Sequence, residues 1–177
     1  MWYNITVTGK EDNMEKKRFF TPARVIFCIL SAAVMAAIFY LSCENADKSS
    51  ETRGFFTDFV LRHFVRGYAE STPERQAELH DLVSHIVRKC AHFSAYASLG
   101  FCTSCAVGRR RLFTAGSLIS WGICILYACS DEFHQRFVAG RSCELRDVMI
   151  DSCGALTGLL VSLGAMAIVS RIFKKKD

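Results

Sequence analysis

The chain has 177 residues, of which 51% are hydrophobic, and a formal net charge of +5. That length fits one domain of ordinary size. The mean hydropathy is only +0.19, because charge-free apolar blocks alternate with charged connectors. No soluble module with a basic face stands out, so a nucleic-acid partner is excluded.

Residues 1–24 read as a cytoplasmic N-terminal leader, and the first apolar run has no small-residue cleavage pattern after it and is long enough to remain as a span. Val25 to Ser42, VIFCILSAAVMAAIFYLS, is the first of four apolar blocks. The others begin near Cys90, at Leu112 and at Val148. Each is about 20 residues long, enough to cross the hydrocarbon core as a helix. The expected fold is therefore all-α: a polytopic membrane helical bundle with four transmembrane helices, at about 25–42, 88–107, 112–130 and 148–170. The membrane domain is expected over 25–170, followed by a basic tail over 171–177. A soluble bundle of buried helices is the alternative.

Glu44 to Arg53, rich in Ser, Asn and Asp, reads as a loop. In Gly54 to Phe64 the residues Phe55, Phe56, Phe59, Val60 and Phe64 recur at helical spacing. This predicts an amphipathic helix on the outer surface or a lid over a polar site. Gly67 to Thr72 breaks it. Ser71-Thr72-Pro73-Glu74 has the marks of a helix start, and the helix from Pro73 is expected to run into the second span. On it His85, Lys89, His92 and Tyr96 are spaced by four, three and four, which places them on one stripe. Such groups are costly in lipid and point to an inner polar cluster.

The third block leads into Asp131, Glu132 and Gln135. Ala139-Gly140 forms a turn that aims Arg141. Asp147 and Asp151 are four apart on the fourth segment, with Asp151 about one turn into the apolar run. A carboxyl there needs a partner, and Lys89, His92 and Arg141 are the available donors. Gly154 and Gly158 form a small-residue face for close helix packing.

Positive residues flank the spans at Lys16, Lys17, Arg18 and Arg24, at Arg109 to Arg111, and at Arg171 and Lys174 to Lys176. Four crossings bring these clusters to one face, which the positive-inside rule makes cytoplasmic. Both termini are then cytoplasmic, and the polar stretch after the third span lies outside. Most of the 9 cysteines fall in apolar blocks, where they act as small apolar residues. Cys102-x-x-Cys105 has redox or metal spacing but no second pair. Cys43 and Cys143 can meet outside the membrane.

Two segments resemble the VanZ-like family. RKCAHFSAYASLG is similar to its Lys-x-x-His-Phe-x-x-Tyr segment, here Lys89, His92, Phe93 and Tyr96. SDEFHQRFVAGRSCELRDVMIDSCGALTG is similar to its second signature, through Asp131, Glu132, Gln135, Gly140, Arg141, Asp147, Gly154 and Gly158. Ala139 stands where the family usually has Pro, and Asp151 where it usually has Asn. The resemblance implies a bacterial cytoplasmic-membrane protein, in a family whose namesake is linked to resistance to the glycopeptide teicoplanin. It leaves the reaction open.

Three functional readings follow. In the first, Lys89, His92, Tyr96, Asp131, Glu132, Gln135, Arg141, Asp147 and Asp151 form an outer-leaflet-facing site. It recognises an anionic envelope molecule, either a lipid-linked cell-wall precursor or a phospholipid headgroup. Arg141 forks the anion and Lys89 adds a point charge. In the second, the protein is an intramembrane enzyme in which His92, Asp131 and Glu132 are the candidate catalytic groups for acid–base or metal-assisted chemistry on a lipid-linked phosphate. No HExxH or paired-cysteine motif is present, and no metal or cofactor is assigned. In the third, the polar groups clamp the helices structurally and the protein serves as a partner or scaffold. Small size argues against a transporter unless the chain forms an oligomer.

Overall fold

The computed structural model describes residues 21–43, 46–108, 114–138 and 143–174. These residues form five helices and no strand: α1 (Pro22–Ser42), α2 (Ala46–Phe64), α3 (Pro73–Val107), α4 (Ala115–Gln135) and α5 (Leu145–Lys174). The all-α expectation holds.

The helix starts follow local chemistry. Thr21, Thr72 and Thr114 are extended N-caps whose hydroxyls accept from the amides of Arg24, Arg75 and Ser117. Each satisfies one of the orphan donors of a first turn. Pro22 and Pro73 occupy first-turn positions that need no amide hydrogen. α3 runs without interruption from Pro73 into the second apolar block, as expected, and ends at Gly108, a left-handed C-cap with φ 66°.

One expectation is corrected. Most of Glu44 to Arg53, read as a loop, is helical: α2 begins at Ala46 and continues through Gly54 to Phe64. Polar composition is a weak loop signal where no Gly or Pro interrupts the run. The break at Gly67 is present, with φ +73°.

Side-chain pairs set the helix directions. Ala97 and Phe93 on α3 face Gly158 and Gly154 on α5, so these two helices run parallel. Phe27 meets Phe101, and Arg24 lies against Gly108, so α1 runs antiparallel to α3. Trp121 Nε1 donates to the Ser152 carbonyl at 3.1 Å, and the Glu144 amide donates to Glu132, so α4 runs antiparallel to α5. The result is an up-down-up-down arrangement of α1, α3, α4 and α5. The glycines of α5 bring its backbone against α3. A Cβ at Gly158 would land on the Ala97 carbonyl oxygen, and one at Gly154 on that of Phe93. The small-residue face is a packing face.

α1 and the Leu145–Val169 part of α5 are long and apolar enough to cross a membrane, with hydropathies of 2.4 and 1.9. The described parts of α3 and α4 do not pass that test, so composition and length support two of the four expected spans. Strongly polar groups sit within them, His92 on α3 and Asp131 and Glu132 at the end of α4. Ser120 donates to Thr103 at 2.9 Å, and Ser162 of α5 donates to Ser104 at 2.6 Å. These buried hydroxyls are paired inside the bundle. The outer face of α4 remains apolar at Leu118, Ile119, Ile123 and Leu126. Among the described side chains of α2, Thr57 and Leu61 are buried, while Phe55, Phe56, Phe59 and Phe64 face outward. Both apolar helices leave most of their surface unburied, as membrane-crossing helices do.

Candidate functional site

The polar cluster forms where the end of α4 and the start of α5 meet the middle of α3. Asp131, Glu132 and Gln135 occupy the last turns of α4 and are all buried. Helical spacing puts Asp131 and Gln135 on one face, and the Gln135 amide donates to Asp131 Oδ2 at 3.3 Å. Asp147 and Asp151 are buried on the first two turns of α5. From α3 come Lys89, His92 and Tyr96. Eight of the nine expected site residues therefore converge. Arg141 and the Ala139-Gly140 turn lie outside the described residues, as do the basic residues 16–18, 109–111, 175 and 176.

The pairing differs from the expectation in one respect. Lys89 was a potential donor to Asp151, but its ammonium donates to Asp147. Asp147 lies a turn nearer the end of α5, within reach of the long lysine stem. Asp151 lies deeper, with His92 Nδ1 3.9 Å from its Oδ1. Glu132 Oε2 accepts from the Glu144 amide at 3.0 Å. Glu132 lies past the end of the apolar block, and burial pushes its carboxyl above the usual carboxylate range. The Glu144 amide opposes that shift.

His85, the outermost residue of the α3 stripe, is exposed and outside the cluster. Arg88 belongs to it instead. Its guanidinium donates to Gln135 Oε1 at 3.4 Å, and Gln135 Nε2 in turn donates to Ser42 Oγ at 3.4 Å. The signal for Arg88 was available, since Arg88, His92 and Tyr96 repeat at four-residue spacing. Ser42 had none, because only helix packing brings the end of α1 there.

Several buried polar atoms have no hydrogen-bond partner among the described residues: Tyr96 Oη, Glu132 Oε1 and both carboxylate oxygens of Asp151. Tyr96 and Asp151 are fully buried. One ligand atom each from His92, Asp131 and Asp151 lies within 4.8 Å of the others. A separate open cavity of about 440 Å³ at the turn between α2 and α3 is lined by Arg62, His63 and Arg66, and by none of the cluster. Cys43 and Cys143 are both free and exposed, and Cys43 Sγ sits 3.3 Å from His134 Nε2.

No curated protein and no solved structure matches the chain. The family profile described as VanZ/LLP1 matches residues 27–169. That span includes every site residue named above and most of the chain, so this protein belongs to the VanZ/LLP1 family.

Proposed function

We propose that this protein is a four-span protein of the bacterial cytoplasmic membrane that recognises an anionic envelope molecule at its outer leaflet. The ligand is a lipid-linked cell-wall precursor or a phospholipid headgroup, and family membership fits a context of glycopeptide resistance. The alternating helix directions support four crossings. Arg24 and Arg171 fall at the end of the bundle away from the cluster, which supports cytoplasmic termini and an outward-facing site. The outward Phe residues of α2 support a helix lying at the headgroup level.

The observation that carries the reading is the set of unsatisfied buried polar atoms: Tyr96 Oη, Glu132 Oε1 and both oxygens of Asp151. A purely structural clamp pairs its buried groups, because each orphan costs about 1–3 kcal/mol. Here the Lys89–Asp147 pair acts as a clamp, while the Tyr96 hydroxyl is a donor open to an anionic oxygen and the unpaired carboxyl oxygens need a donor or a cation brought with the ligand. Arg88 is half-buried and donates one hydrogen bond to Gln135. Its remaining donors can take an anionic oxygen at the rim.

The test is retention of ligand by the purified chain in nanodiscs. Labelled lipid-linked precursor and anionic phospholipid should be retained above a zwitterionic control, and Arg88→Ala should weaken retention. Equal retention of zwitterionic lipid sinks the reading. The proximity of His92 to two carboxylates favours a second reading, an enzyme acting on a lipid-linked phosphate. Release of labelled product rather than retention of intact ligand separates the two.

A further inference from the structure

The acids of the cluster are not equally provided for. Asp147 has Lys89, and one oxygen of Glu132 has the Glu144 amide. Asp151 is fully buried on α5, and neither of its oxygens has a hydrogen-bond partner among the described residues. A carboxylate in that position requires a cation or a proton. The groups that face it from the neighbouring helices are His92 and Tyr96 of α3 and Asp131 and Glu132 of α4. Lys89 is engaged by Asp147 at the outer edge.

We propose that His92, Asp131 and Asp151 bind a first-row divalent cation, Mn²⁺ or Zn²⁺. Two ligands about 2.0–2.1 Å from a tetrahedral ion sit roughly 3.3–3.4 Å apart, so the 3.9 Å between His92 Nδ1 and Asp151 Oδ1 needs a contraction of about 0.5 Å. All three donor atoms lie within 4.8 Å of one another, so side-chain movements of roughly 1 Å bring them to one ion. Two carboxylates and a neutral imidazole balance the charge of a dication. An imidazole among the donors favours Mn²⁺ or Zn²⁺ over Ca²⁺ or Mg²⁺. The ligands come one each from α3, α4 and α5, so the ion ties three helices together.

Two surrounding groups fit this assignment. Gln135 donates to the Asp131 carboxylate and orients it, the usual role of an outer-shell partner. Tyr96 Oη is fully buried, has no hydrogen-bond partner and lies within electrostatic reach of Asp131 and Asp151. It is placed to bond a water completing the ion's shell. Three protein ligands leave a position for an exogenous oxygen. An acid-lined site then accepts an anionic phosphate by way of the ion. This last point rests on the headgroup reading above, whereas the ion site itself does not.

The experiment uses the full chain in detergent, with any affinity tag removed, stripped with EDTA and then dialysed against MnCl₂ or ZnCl₂. Metal content should reach one ion per chain. Asp151→Asn and His92→Gln should each weaken binding by about tenfold or more. Asp58→Asn, which alters an exposed acid outside the cluster, should bind as the wild type does. Pulsed EPR of the Mn²⁺-loaded wild type should show nitrogen coupling from one imidazole. This readout needs no variant and decides the matter if the substitutions prevent folding. Metal content far below one ion per chain, or bound Mn²⁺ without nitrogen coupling, overturns the proposal. So does equal affinity in both variants. Metal bound with no retention of inorganic phosphate or anionic lipid leaves the ion site standing and removes the headgroup reading. Lipid retained after chelation, with no ion bound at any concentration, does the reverse.

Discussion

Lys89 on α3 donates to the carboxylate of Asp147 on α5, and only 15% and 8% of the two side chains are exposed. The pair joins parallel helices just above the place where Gly154 meets the backbone of Phe93. It lies between the half-exposed rim and the fully buried acids below.

Removing one partner of such a pair strands the other. Lys89→Ala should destabilise the detergent-solubilised protein by about 3–5 kcal/mol, because Asp147 is left as an uncompensated buried charge. Lys89→Met combined with Asp147→Leu should recover most of that loss, since well-packed apolar residues can replace a buried ion pair. Thermal unfolding followed by size-exclusion chromatography gives both values. A double variant no better than the single one contradicts the account.

Asp151→Asn should act in opposite directions with and without metal. In EDTA the amide replaces a buried carboxyl that must either take up a proton or stay unpaired, and stability should rise by about 1 kcal/mol or more. In MnCl₂ or ZnCl₂ the wild type should gain stability through binding to the folded state, and the variant should gain much less. Melting curves of both proteins in both buffers check this crossing.

The contact between α3 and α5 is tight enough to sense one methyl group. Gly158→Ala places its Cβ on the Ala97 carbonyl oxygen and should cost about 1–3 kcal/mol. Gly164→Ala meets nothing within 4 Å on the same helix and should be neutral or stabilising by up to about 1 kcal/mol. The difference between the two melting temperatures is the measurement.

The position of α2 can be read from outside. Phe55 and Phe59 are exposed, while Thr57 and Leu61 are buried. Nitroxide labels at 55 and 59 in proteoliposomes should be relaxed by oxygen, which concentrates in lipid. A label at Arg62 should be relaxed by an aqueous nickel chelate. The reverse pattern places the aromatic face in water or against another protein.

Much of this molecule was legible in the chain. The helix start at Thr72-Pro73 and the extension of α4 to Gln135 are local matters. So is the shared face of Asp147 and Asp151, because helical periodicity relates residues four apart. The helical start of α2 was missed because a run of polar residues does not by itself stop a helix. Partner choice was not legible. Lys89 paired with Asp147 rather than Asp151 because the parallel register of α3 and α5, set by backbone contact at Gly154 and Gly158, puts the shallower acid within reach. The same register brings His92 beside Asp151, and helix packing adds Asp131 from α4, Arg88, and Ser42 from the far end of α1. Sequence periodicity determined which polar groups share a helix face. Only the packing of three helices decided which face each other, because those distances depend on how closely small residues let the backbones approach.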